Sequence, residues 1–177
     1  IQYLAISFVL KNVWPDRADS ESIGGTLERF GRVKLDRNPF PAIAGEYTVQ
    51  LTGTTGSVVA ANTTFKSDDT SSAPGLLYVL DNQFTMDGIN VVQIRALNPG
   101  LEARLNTGDT LTVTAPIAGV DSEAVVISEV IEPKASENLE DYRNDIIQSF
   151  RLLPQGGAGS DYRIWSIEVQ GVKQVYP

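Results

Sequence analysis

SENLEDYRNDIIQSFRLLPQGGAGSDYRIWSIEVQGVKQVYP, residues 136–177, decides how the rest of the chain is read. Leu139, Tyr142, Ile146, Phe150 and Leu153 recur at steps of three and four, which puts one apolar stripe on a helix. Ser136 is placed to cap that helix, with Glu137 and Glu140 at the positive end of its dipole. Pro154 stops it and Gly156-Gly157 forms a hinge. A short second helix follows, capped by Ser160 or Asp161 and carrying Tyr162, Trp165, Ile167 and Val169. Gly171 ends it in the left-handed conformation, and residues 172–176 read as a closing strand.

The opposite end is helical too. Ile1, Leu4, Ala5, Phe8 and Val9 give a helical rhythm that Trp14-Pro15 ends, and Leu4 to Leu10 reads as a buried helix face. A second helix has Ile23, Leu27 and Phe30 inward. Gly24-Gly25 weakens it by about 1 kcal/mol per glycine, so it starts late, near Thr26, and Gly31 is placed to end it. Between these ends the period changes to two. Tyr47, Val49 and Leu51 share one face of a strand, and short apolar runs separated by turn residues continue to Ile127. Residues 68–75 form the most loop-like stretch and read as mobile.

The fold class expected is therefore α+β. N-terminal helices (1–40) and a C-terminal helix-hinge-helix-strand unit (133–177) pack together, because both carry one-sided apolar stripes, and a central, mostly antiparallel β domain (41–132) stands out as an inserted lobe.

Composition limits the chemistry. The 177 residues carry 14 basic and 22 acidic side chains, a net charge of -8 that disfavours nucleic acid as a partner. Neither His nor Cys occurs, which removes the commonest general base, thiol nucleophiles and thiolate metal sites. No apolar run reaches the ~20 residues of a membrane span. Serines have no His to activate them and no Gly-x-Ser-x-Gly elbow. Gly156-Gly157 follows a helix and lacks a succeeding Lys, unlike a phosphate cradle. The acid pairs Asp68-Asp69, Asp121/Glu123 and Glu137/Glu140-Asp141 read as solvated groups, since neither a calcium-loop pattern nor a cleft-forming dyad is evident. We expect no catalytic residue, no cofactor and no metal.

Pro154-Gln155-Gly156-Gly157, Asp161-Tyr162, Trp165, Glu168-Val169, Gly171-Val172 and Val175 together resemble the signature of the baseplate J-like family, which builds wedges in contractile phage tails and related injection systems. The likeness extends upstream through residues 115–122, the Gly108-Asp109-Thr110-Leu111 turn, Leu97, Gly100, residues 57–64, and Leu27, Phe30-Gly31 and Arg37. Glu140-Asp141-Tyr142-Arg143 departs from the family's acidic-pair-and-arginine pattern by a small offset. The family's usual continuation past the closing strand is not in the sequence, so the chain is expected to be a fragment of a longer protein.

The resemblance implies a non-enzymatic virion component, assembled in the host cytoplasm into the tail baseplate. Its partners would be other wedge proteins and copies of itself, with no membrane insertion. Gly156 and Gly157 would be a hinge for contraction-linked rearrangement, and Tyr162, Arg163 and Arg143 candidate subunit contacts. Trp165 reads instead as local core against Phe150 and Leu153. The alternative function is a carbohydrate- or receptor-binding β module, which would need exposed aromatics among Tyr47, Phe65, Tyr78 and Phe84.

Overall fold

The computed structural model describes residues 2–15, 25–151, 162, 165, 166 and 169–172. The chain divides into two compact units, one from residues 42–135 and the other from residues 1–41 together with 136–177. The described elements are α-helices and antiparallel strands, the α+β class expected.

In the first unit, alternation of side chains turns the inward residues of each strand to a common interior. The strands are β1 (Glu46–Gly53), β2 (Val58–Val59), β3 (Thr64–Ser67), β4 (Leu77–Val79), β5 (Phe84–Thr85), β6 (Ile89–Ala96), β7 (Thr110–Val113) and β8 (Val120–Ile131). Six of them close into an antiparallel barrel in the order β1-β6-β4-β3-β7-β8, and β2 pairs with β5 in a separate ribbon. β1 is the seam. Gln50 faces Val91 of β6 on one side and Val125 of β8 on the other. Closure removes the sheet edges that would otherwise recruit another strand.

Tyr47, Val49 and Leu51 are fully buried in the barrel, as their spacing predicts, with Phe65, Tyr78, Ile94, Leu111 and Ala124. A short 3-10 turn, Leu101–Ala103, and the segment just after it supply two further buried side chains, Ala103 and Leu105. Tyr47 and Tyr78 meet edge to face at 5.9 Å, and both hydroxyls donate to the Ala103 carbonyl at 3.1 Å. The Leu105 amide donates to the Tyr47 hydroxyl at 3.1 Å. Two tyrosines thereby satisfy the polar backbone of a turn tucked among apolar side chains.

The stretch expected to be a mobile loop is tied down instead. Ser71 is buried and donates to the Thr110 carbonyl at 2.7 Å, Ser67 donates to Ala73, and the Ser72 amide donates to Asp109 at 3.1 Å. Short hydroxyl side chains satisfy local backbone groups here, so a Ser/Thr-rich loop need not be loose.

The second unit contains α1 (Gln2–Val13), α2 (Thr26–Lys34) and α3 (Leu139–Arg151). α2 starts at Thr26, as the two glycines predict. Gly31 does not end it. Gly31 lies inside the helix, and the turn-off comes at Leu35 and Asp36, whose φ of 54° is left-handed. α3 begins later than expected. Its cap is Asn138, whose side chain accepts from the Glu140 amide at 2.8 Å, not Ser136. Leu27, Tyr142 and Ile146 form the buried cluster between α2 and α3, with Phe30 and Leu35 against it.

α1 corrects another expectation. Leu4, Ile6 and Val9 are 72%, 59% and 55% exposed, so the helix forms but these three apolar residues are not covered. Periodicity reports a demand for burial; it cannot supply the surface that meets it.

Candidate functional site

The most organised polar cluster among the described residues lies in the helical unit and starts from a missing side chain. Because Gly31 has no Cβ, the Tyr142 ring of α3 reaches the α2 backbone; a Cβ there would sit 1.7 Å from the Tyr142 hydroxyl. That hydroxyl donates to the Arg37 carbonyl at 2.7 Å, fixing the chain just after α2. The Arg37 guanidinium then forks. Nη1 and Nη2 donate to Glu137 at 2.7 and 3.0 Å, and Nη2 also donates to Asp145 at 3.1 Å. Its cationic plane lies 4.1 Å from the Phe40 ring and 5.1 Å from that of Tyr142.

Glu137 also accepts from the Phe40 amide at 2.9 Å, and its own amide donates to the Phe40 carbonyl at 2.9 Å. The three charged side chains are 11–16% exposed. Burial pushes the Asp145 carboxyl up to about 6; Arg37 opposes this, while Glu137 and Asp141 add to it. Burial likewise pushes the Tyr142 phenol up to about 12. Both carboxylates are occupied by a cation that never deprotonates, so the arrangement is a mechanical staple rather than an acid–base pair.

Sequence reasoning treated Glu137 as solvated, and the structure overturns that. Arg37 and Glu137 are 100 positions apart, and no local pattern pairs them. The available signal was the resemblance, which includes Arg37.

The hinge glycines Gly156 and Gly157 and the candidate contact Arg163 lie outside the described residues. Tyr162 is 53% exposed and meets Trp165 edge to face at 5.4 Å. Trp165 is itself 55% exposed, so it is not the core residue expected; Phe150 contacts Phe30 instead, at 6.4 Å. Arg143 is turned inward. Its side chain is 11% exposed, donates to Glu140 at 3.1 Å, and reaches the Pro15 carbonyl. Tyr162 thus points outward while Arg143 is engaged within the chain.

Elsewhere, Asp68 accepts from Thr112 at 2.7 Å, and Asp109 caps the Asn106 turn at 2.8 Å. No group of three or more metal-ligating side chains occurs among the described residues. Of the four aromatics that the carbohydrate-platform reading needs exposed, Tyr47, Phe65 and Tyr78 are fully buried, and Phe84 is partly buried against the same core. No described helix is long and apolar enough to cross a membrane.

Comparison with known proteins gives this geometry a context. Residues 48–132, almost the whole barrel, match the family described as the baseplate J-like protein barrel domain. The chain is 28% identical over 96 residues to putative protein JayE of Escherichia coli, an alignment covering 54% of this chain and 36% of that protein. It is 27% identical over 130 residues to the Mu-like prophage FluMu protein gp47 of Haemophilus influenzae, covering 72% of this chain and 35% of that one. The chain therefore spans about a third of the length of these curated relatives.

Proposed function

We propose that this chain, which belongs to the baseplate J-like family, is a non-enzymatic structural part of a phage or prophage tail baseplate wedge. The observation that carries this reading is the barrel match over residues 48–132, joined to the similarity with a Mu-like prophage protein. The architecture suits the role. A closed barrel with its turn pinned by two tyrosines is a stiff body, and such a body transmits force without exposing sheet edges. The staple of Arg37, Glu137 and Asp145 holds segments from the two ends of the sequence in one helical unit.

In this reading the N-terminal helices and the whole C-terminal helix-hinge-helix-strand segment form one packed body. The wedge assembles in the host cytoplasm with other baseplate proteins and copies of itself, and then resides in the virion tail. Rearrangement on contraction changes contacts between rigid lobes, and Gly156-Gly157, the joint within the helical body, takes up the change. Without His or Cys, and with the best-organised carboxylates held by Arg37, catalysis has little support. The test is a phage carrying Gly156→Val and Gly157→Val together. The expected result is normal barrel folding with failed assembly or contraction; tails that assemble and contract normally would remove the hinge from the account.

A further inference from the structure

The outer wall of the barrel is uncharged where three adjacent strands meet. Residues 48–52 of β1, 89–93 of β6 and 125–127 of β8 contain no acidic or basic side chain. β1 lies between the other two, and Gln50 stands in one row with Val91 and Val125. These valines are 59% and 39% exposed. Ile89 and Ile127, two positions along the same strands and on the same face, are 62% and 38% exposed. With strands about 4.8 Å apart, the four apolar side chains and the amide between them form one contiguous strip. Solitary exposed apolar residues are ordinary, but a joined strip on a sheet face marks a surface that another molecule covers.

Charge surrounds the strip rather than crossing it. Glu46 stands two residues before Thr48 on β1, Asp121 and Glu123 precede Val125 on β8, and Asp87 stands two residues before Ile89. The cation at this border, Arg95, faces Glu46 across the β1–β6 pair and is bound to Asp81 at 3.0 Å. The border is therefore acidic, on a unit (residues 42–135) that carries four basic and eleven acidic side chains. An uncharged centre within a charged border is the anatomy of a protein interface, because hydroxyls and amides lose less than ions on leaving water. The sign of the border selects the occupant. A second copy would set the same carboxylates against themselves, and nucleic acid or an anionic membrane would be repelled.

We infer that the β6-β1-β8 wall is the docking surface for a different protein, one that presents an apolar patch bordered by lysine or arginine. The inference rests on the assembly reading above, in which that protein is another baseplate component, and it names the face and the chemistry of the contact. The test is site-specific photo-cross-linking of the whole chain in cells producing the phage. The probe, p-benzoylphenylalanine, replaces Val91 in one strain, Gln50 in a second and, as control, the exposed Lys66 of β3 across the barrel in a third. The Val91 probe is then combined with Asp121→Lys and Glu123→Lys, which reverse the border, and separately with Lys66→Glu. Mass spectrometry identifies the cross-linked chains, and far-UV circular dichroism checks that each variant keeps its secondary structure.

The expected result is cross-linking from Val91 and Gln50, but not from Lys66, to one tail protein of different sequence. Reversing the border should lower that yield by about tenfold or more, and Lys66→Glu should change it by less than about twofold. Cross-links only between copies of the chain, only to lipid, or absent from both folded probe variants overturn the inference, as does a yield that border reversal leaves unchanged. Tails that lack the chain defeat the baseplate reading, whereas a charge-sensitive Val91 cross-link in the same cells still upholds the docking surface. Tails that contain the chain without such a cross-link leave that reading intact and remove the surface.

Discussion

Replacing Arg37 by Met probes the staple with little change of volume. The substitution leaves Glu137 and Asp145, 11% and 16% exposed, facing each other without the cation that held them. Removing one partner of a buried ion pair costs about 3–5 kcal/mol, because the desolvated charge that remains has nothing to offset it. The Phe40 amide still donates to Glu137, so the lower part of that range is the better expectation. The loss should depend on pH. The Asp145 carboxyl already lies near 6, and without Arg37 it rises further, so at pH 5 it neutralises and most of its burial cost disappears. Native-state hydrogen exchange read by mass spectrometry separates the units. Amides of α3 around Tyr142 and Ile146 should exchange on the order of a hundredfold faster at pH 7 after correction for intrinsic rates, and clearly less so at pH 5. Amides of β1 and β6 should be unchanged at both. An α3 effect below tenfold at pH 7, or an equal effect at the two pH values, would refute the claim that the cluster is a buried staple held by the Arg37 cation.

Gly31→Ala should destabilise the helical unit by about 1–3 kcal/mol, since its Cβ meets the Tyr142 hydroxyl and ring. In a Tyr142→Phe background the added cost should be smaller, and a double-mutant cycle in urea measures the coupling. In the barrel, Tyr47→Phe strips the Leu105 amide of its partner and should cost about 1–3 kcal/mol by urea unfolding; Tyr78→Phe should cost less, because Tyr47 still serves the Ala103 carbonyl. Asp145 sets a pH trend of its own. Its folded pKa of about 6 lies above the ordinary 3.8, so its contribution to stability is complete below about pH 4 and lost as pH rises through 6. Asp145→Asn should flatten that part of the profile of α3 protection between pH 4 and 7, and an unchanged slope would contradict the assignment.

The parts of the fold that were legible are those set by local periodicity. Tyr47, Val49 and Leu51 alternate inward, Tyr142 and Ile146 lie on the inner stripe of α3, and two glycines delay α2 to Thr26. Strand order was not legible, because the pairing of β1 with both β6 and β8 spans up to 85 positions, from Glu46 to Ile131, and period two names no partner. Gly31 looked like a helix stop because a C-terminal glycine usually is one; its purpose is to admit Tyr142, a contact made across more than a hundred positions. The staple was hidden for the same reason, with Glu137 attributed to a helix dipole when its partner was Arg37. Asn138 displaced Ser136 as cap because both suit the position and only the backbone geometry chooses between them. The apolar rhythm of α1 was real, but the surface it requires is not supplied by the described part of the chain.

The central claim is that this protein is built into a tail baseplate, and locating it in particles tests that most directly. Tails purified from a phage encoding the chain with a small epitope tag in the exposed turn at Thr55-Gly56 would be labelled with gold-conjugated antibody and imaged, with mass spectrometry of the same particles as a check. The account predicts label confined to the baseplate end of the tail and peptides of the chain in stoichiometric amount. Complete, contractile tails that contain none of the chain, or label spread along the sheath, would contradict it.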